Sequence, residues 1–146
     1  MHARFVHTNV IARDWRALAD FYVRVFGCKV LAPERDYRSR ELDAGTGLTD
    51  AHLTGAHLQL PGTEATLEVY QYDALEDRAP TRINRPGFGH IAFEVDDVRS
   101  ALEELKANGG SAVGEVVTLT TKTGRRVTWV YATDPEGNVV ELQSWA

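Results

Sequence analysis

The sequence predicts an α+β fold in which two βαβββ modules follow one another and their strands form a curved eight-stranded cup with the helices on the outside. Three observations carry this. Laying His7 on His90 brings HTNVIARDWRALADFYVRVFG (7–27) over HIAFEVDDVRSALEELKANGG (90–110) without a gap. Each of these segments is followed by three short runs rich in β-branched and aromatic residues. Each copy then closes on a glutamate set among apolar neighbours, Glu68 in TLEVY and Glu141 in VVELQ.

The elements follow in order. Alternation after each histidine gives a short strand, on which His7, Asn9 and Ile11 share one face, as do His90, Ala92 and Glu94. Asp14 and Asp97 then fall on one aligned position, where an aspartate side chain caps a helix N-terminus. Trp15, Leu18, Tyr22 and Val25 recur at helical spacing in the first copy, and Val98, Ala101, Leu102 and Leu105 in the second, so each helix has one apolar stripe to lay on a sheet. Gly27 and Gly110 align just past the helices, where a left-handed residue is favoured.

The strand-like runs lie near 28–33, 52–60 and 65–72 in the first copy, and near 114–120, 125–133 and 138–145 in the second. Asp134-Pro135-Glu136-Gly137-Asn138 supplies turn chemistry between the last two. Residues 73–88 are polar, with Pro80 and Pro86, and read as a linker. One domain over 1–146 is therefore expected, with module 1 at about 1–72 and module 2 at about 89–146. His7 and Glu68 are 61 positions apart and His90 and Glu141 are 51 apart, which places an insertion in the first copy, within 34–51. Neither module alone covers both its helix stripe and its sheet face, so the two sheets are expected to form one continuous curved surface.

Composition bounds the function. The 146 residues are 43% hydrophobic, enough for one globular core. A net charge of -5 lacks the basic footprint of a nucleic-acid binder. The single cysteine, Cys28, allows no intramolecular disulfide and reads as a core residue in a reducing compartment, with cytoplasm the expected location. The opening MHARFVHTNVIARDW has no apolar signal region, and no run approaches the roughly 18 apolar residues of a membrane span. No membrane association is expected.

On the closing strands Glu68, Tyr70 and Tyr72 share one face, and Glu141, Gln143 and Trp145 another. A carboxylate among apolar neighbours is costly unless paired, and a metal removes that cost. If the modules are related by a pseudo-two-fold axis, His7, Glu68, His90 and Glu141 meet on it as the ligands of one divalent ion. Two neutral imidazoles and two carboxylates offset its charge, and this mixed nitrogen and oxygen shell suits Zn, Ni, Co, Mn or Fe. Asn9, Tyr70, Tyr72, Gln143 and Trp145 fall on the same faces and are the candidate substrate-cup residues. Those aromatics are also what an ordinary sheet core contains. His2, His52 and His57 have no repeat partner and read as ordinary polar residues, with His57 a candidate to line the cup. Arg35, Arg38 and Arg40 in the insertion and Arg78, Arg82 and Arg85 in the linker read either as solvated loop charge or as contacts for an anionic substrate.

The doubled unit, the FVHTNVIARDWRALADFYVRVFG opening, the GFGHIAFEVDD start of the second half and the closing DPEGNVVELQSW together resemble the vicinal oxygen chelate superfamily. This superfamily includes glyoxalase I, methylmalonyl-CoA epimerase, extradiol dioxygenases, fosfomycin-resistance enzymes and bleomycin-binding proteins. The resemblance covers almost the whole chain. In ligand pattern it is nearest to glyoxalase I, whose His or Gln, Glu, His and Glu fall on His7, Glu68, His90 and Glu141. Methylmalonyl-CoA epimerases usually have Gln at the place of Glu68 and close on HPKSTGG where this chain has DPEGN. Extradiol dioxygenases and fosfomycin-resistance enzymes need only the triad matching His7, His90 and Glu141. Bleomycin-binding relatives generally lack the ligands.

The resemblance implies a metal-dependent lyase or isomerase that abstracts a proton next to a metal-bound carbonyl of a small molecule. Glu141 or Glu68 would be the catalytic base, with Glu141 favoured, and a homodimer is implied. Glyoxalase I has Arg four residues after its first ligand and Asn four after the next, both holding glutathione. Here Ile11 and Tyr72 stand there and cannot make those charge-assisted bonds, so glutathione is not the expected substrate. Two alternatives stay open. One is a metal-free binding or resistance protein gripping an aromatic ligand. The other is an epimerase-like or dioxygenase-like enzyme, the last using Fe or Mn with Glu68 off the metal.

Overall fold

The computed structural model describes residues 1–79 and 82–146. Pro80, read above as part of the linker, lies outside the described residues. The fold is mixed α+β, with nine strands and three helices among the described residues, hydrogen-bonded into two sheets, one from each half of the chain. Contacts divide the chain into two compact units, Met1–Arg78 and Ala79–Ala146.

The first unit runs β1 (His7–Ile11), α1 (Trp15–Phe26), β2 (Lys29–Tyr37), α2 (Arg40–Thr46), β3 (Leu53–Gln59) and β4 (Thr66–Tyr72). Its sheet has the order β1-β4-β3-β2, with β1 parallel to β4 and the other pairs antiparallel. Helix α1 starts where expected, because the Asp14 carboxylate accepts the Ala17 N–H at 3.0 Å. It ends at Gly27, whose φ of 67° is the left-handed conformation that glycine adopts without a steric penalty. Trp15, Leu18, Ala19, Phe21 and Tyr22 are buried against a sheet face carrying Ala56, Leu58, Leu67 and Val69. Burying a side chain the size of Phe21 contributes roughly 1.5–3 kcal/mol.

The insertion forms more structure than the sequence suggests. Strand β2 continues to Tyr37, and Arg40–Thr46 coils into α2 between a Ser39 cap, which accepts the Leu42 N–H at 3.1 Å, and Gly47 at φ 73°. Helix α2 buries no residue, so it has no apolar stripe to betray it. The Asp43 carboxylate accepts the N–H groups of Asp50 and Ala51 at 2.9 and 2.8 Å and ties the helix to the approach to β3.

The second unit runs β5 (Ile91–Glu94), α3 (Val98–Ala107), β6 (Ser111–Ala112), β7 (Val117–Thr120), β8 (Arg126–Thr133) and β9 (Val139–Trp145). The order is β5-β9-β8-β6, and β7 also pairs with β8. The run expected near 114–120 begins only at Val117, and the two-residue β6 before it makes the ninth strand where eight were expected. Asp97 caps α3 by accepting the Ser100 N–H at 2.6 Å. At the other end the expectation for Gly110 is corrected. Gly109, at φ 96°, carries the left-handed turn, whereas Gly110 is needed for close approach. A Cβ there would lie 2.3 Å from Leu105 Cδ2 and 2.5 Å from the Thr133 carbonyl.

The turn before β9 is built around Asp134, which is 2% exposed. Its carboxylate accepts the backbone N–H groups of Glu136 and Asn138, each at 2.9 Å, and the Asn138 side-chain amide at 2.7 Å. No helix among the described residues is long and apolar enough to cross a membrane.

Candidate functional site

Strand register brings each histidine to its glutamate. In the parallel β1–β4 pair Asn9 lies opposite Glu68, and in β5–β9 Ala92 lies opposite Glu141. His7 and His90 each stand two residues before those positions, so both units use the same offset. The histidine falls on the glutamate's face, one step along the neighbouring strand. His7 Nε2 lies 3.5 Å from Glu68 Oε2, and His90 Nε2 lies 2.9 Å from Glu141 Oε2. His7 opens β1 as expected, whereas β5 begins one residue after His90. The Glu68 and Glu141 side chains are only 13% and 17% exposed, while His7 and His90 are open enough to be reached from solvent.

The far side of each glutamate was not read from the sequence. His57 on β3 lies directly opposite Glu68, and Tyr131 on β8 directly opposite Glu141, so these two residues are repeat mates. His57 Nε2 is 3.2 Å from Glu68 Oε1 and is also hydrogen-bonded to the Tyr70 hydroxyl. Burial pushes the His57 imidazole below its ordinary pKa, helped by the Arg35 guanidinium and opposed by Glu68. Burial, then the charge of Glu68, pushes the Tyr70 phenol up to about 12. Tyr131 instead packs its ring on His90, with centroids 4.9 Å apart. The signal for His57 was available. The hairpin turn at Leu60–Ala65, closed by the Leu60 N–H on the Ala65 carbonyl, puts residues equally far from its centre side by side.

The expected cup residues share the glutamate faces. Asn9 Nδ2 reaches Glu68 Oε2 at 3.4 Å, a long contact. Tyr70 and Tyr72 lie opposite Gly55 and Leu53 on β3. Gln143 accepts the Trp145 indole N–H at 3.2 Å, and the Arg125 guanidinium covers the Trp145 ring at 4.6 Å. Trp129, which lies opposite Gln143 and packs edge-on to Tyr131 with centroids 5.0 Å apart, joins this face without having been anticipated. His52 belongs elsewhere. Its two ring nitrogens are held by Asp36 and Asp73, each at 2.8 Å, beside an Arg38 that also pairs with Asp50 and Asp73. Burial raises the Cys28 thiol to about 11, which leaves it an inert core residue.

Both His/Glu pairs fit a divalent ion. Ligand atoms about 2.1 Å from one ion are separated by roughly 3.0 Å at adjacent octahedral positions and roughly 3.4 Å at tetrahedral ones. The 2.9 and 3.5 Å separations match those edges, and each pair presents an imidazole nitrogen and a carboxylate oxygen, donors suited to a borderline cation. Among the described residues no group of three or more His, Cys, Asp or Glu is gathered to hold an ion by itself. Each unit therefore presents a pair.

Residues 4–142 match the family model described as the Glyoxalase/Bleomycin resistance protein/Dioxygenase superfamily. The chain is 28% identical over 141 residues to a lactoylglutathione lyase of Escherichia coli O157:H7, covering 95% of this chain and 90% of that protein. It is 31% identical over 145 residues to a 2-epi-5-epi-valiolone epimerase of Actinomyces sp, covering 93% and 76%. Among solved structures, a glyoxalase family protein from Bacillus cereus superposes with a TM-score of 0.83 at 18% identity, covering 99% of this chain and 95% of that one. The fosfomycin resistance protein FosX from Listeria monocytogenes, solved with Mn(II) and sulfate, superposes with a TM-score of 0.57 at 16% identity, covering 99% and 93%. These last two likenesses are of fold.

Proposed function

This chain belongs to the glyoxalase/bleomycin resistance protein/dioxygenase superfamily, and we propose that it is a metal-dependent lyase or isomerase acting on a small carbonyl compound. His7, Glu68, His90 and Glu141 are its metal ligands. The observation that carries this reading is the His/Glu pair repeated at one register offset in both units, at separations suited to ligation. Relatives described as a lactoylglutathione lyase and a 2-epi-5-epi-valiolone epimerase, a lyase and an isomerase by name, support the reaction class.

A divalent ion, when bound, supplies Lewis acidity that stabilises the negative charge building on a carbonyl oxygen as the adjacent C–H proton leaves. The chain's residues do the rest. Glu141 accepts that proton and returns it at the neighbouring or the same carbon, as a general base and then a general acid. Its freedom to do so is supported by its surroundings. Among the described residues its carboxylate pairs with His90 alone, whereas Glu68 is approached by His7, His57, Asn9 and Tyr70. Tyr70, Tyr72, Trp129 and Trp145 give the glutamate faces an aromatic lining that would exclude water from a small substrate. Ile11 and Tyr72 offer no charge to a glutathione carboxylate, so a substrate other than a glutathione adduct is proposed.

Proton exchange tests this without knowledge of the net reaction. A panel of 2-oxo hemithioacetals and acyl-CoA thioesters in D2O, followed by NMR, should show metal-dependent loss of an α-proton signal with wild type and not with Glu141→Gln. Full exchange in that variant would sink the assignment of the base.

A further inference from the structure

We propose that His57 is a positioning residue that, linked to Tyr70, holds the Glu68 carboxylate from its Oε1 side and so presents Oε2 to the divalent ion beside His7. This rests on the metal-binding reading above. His57 and His7 approach opposite oxygens of one carboxylate, at 3.2 Å to Oε1 and 3.5 Å to Oε2. His57 stands on the side of the carboxylate away from His7, between Arg35 and Tyr70, and is placed to hold the ligand and not the metal.

The hydrogen-bond directions agree. The Arg35 guanidinium lies 3.5 Å from His57 Nδ1 and can only donate. In the neutral ring Nδ1 is then the acceptor, and the proton sits on Nε2, which is hydrogen-bonded to the Tyr70 hydroxyl and lies 3.2 Å from Oε1. Tyr70 is hydrogen-bonded to both His57 and Glu68 and so links the two side chains. Gly55 makes room for it, since a Cβ there would lie 2.4 Å from Tyr70 Cδ1.

A carboxylate free at both oxygens can chelate an ion or swing away from it, whereas one held at Oε1 is confined to a single bond through Oε2. In the second unit the equivalent place is Tyr131, whose ring rests on His90. Glu141 is left without a second clamp. The repeated site is thereby specialised into one fixed glutamate and one mobile one.

The full-length protein titrated with Co(II), read by calorimetry and by visible absorption, tests this. Partners of ligand side chains typically contribute about 10–100-fold in metal affinity. His57→Phe should bind Co(II) weaker by that order with altered visible bands, and His57→Gln, whose amide can donate to Oε1, should recover most of both. Wild-type affinity and spectrum in His57→Phe overturn the proposal. So does a failure of His57→Gln to recover them, which would make His57 a nitrogen ligand. Should His57→Phe not fold, Tyr70→Phe decides: a several-fold loss of affinity supports the clamp and no change overturns it. If Glu68→Gln weakens Co(II) binding while His57→Phe does not, this proposal fails and the metal reading stands. A wild-type protein that takes up no Co(II) overturns both.

Discussion

His90 and Glu141 meet across the parallel β5–β9 pair, with the imidazole Nε2 2.9 Å from the carboxylate Oε2. The contact costs the fold little, because Glu141 sits on β9, His90 directly precedes β5, and the β5–β9 register brings them together. It also leaves the second carboxylate oxygen without a partner among the described residues, which is where a substrate proton can go.

Glu141→Gln keeps the shape and an oxygen donor but removes the basic carboxylate. Turnover or proton exchange should fall by about 10²–10⁴-fold, the usual contribution of a positioned general base. Bound metal, measured by elemental analysis, should be largely retained. Loss of metal in parallel with activity would make Glu141 a ligand only.

Asp134→Ala removes the acceptor for three hydrogen bonds inside a buried turn. A fully buried unpaired N–H costs about 1–3 kcal/mol, and the Glu136 and Asn138 donors are only partly buried, so water recovers part of the loss and a total of roughly 2–4 kcal/mol is expected. Urea denaturation measures it. Asp134→Asn, which keeps one acceptor oxygen, should lose less.

Gly55→Ala should destabilise the first unit by about 1–3 kcal/mol, because the added methyl would meet the Val69 carbonyl at 2.2 Å and force β3 from β4. It should also displace Tyr70 and weaken metal binding. A variant as stable as wild type would show that the hairpin relaxes freely there.

His52 gives a pH dependence of known sign. Hydrogen bonds donated to Asp36 and then to Asp73 raise its pKa, with Arg38 in opposition. The protonated ring therefore stabilises the fold fully below the unfolded imidazole value of about 6.5, and that contribution is lost as pH rises through the higher folded value. The gap in urea midpoint between wild type and His52→Gln should narrow as pH rises above about 6.5. A gap that widens with pH would contradict the clasp.

Much of this was legible in the sequence for a physical reason. His7, Glu68 and Glu141 lie on strands and His90 directly precedes one, so a period of two fixes which residues share a face, and the gapless repeat fixes the offset. The Asp14 and Asp97 caps were equally local. What escaped was decided by tertiary contact or by short elements without a burial pattern. Helix α2 buries nothing, and β6 is two residues long. Gly110 is glycine because of Leu105 and Thr133, which no local rule sees. His57 was judged against a repeat that has Tyr131 in its place, so the comparison that exposed the other histidines hid this one.

The most direct measurement is the divalent-metal stoichiometry of the purified full chain by elemental analysis, for wild type and for His7→Ala, Glu68→Ala, His90→Ala and Glu141→Ala. One ion per chain, lost or greatly weakened in each variant whose fold is intact, is the expected result. A wild-type protein that holds no divalent ion after incubation with Zn, Ni, Co, Mn or Fe would contradict the metal site. Wild-type content in any folded single variant would strike that residue from the shell.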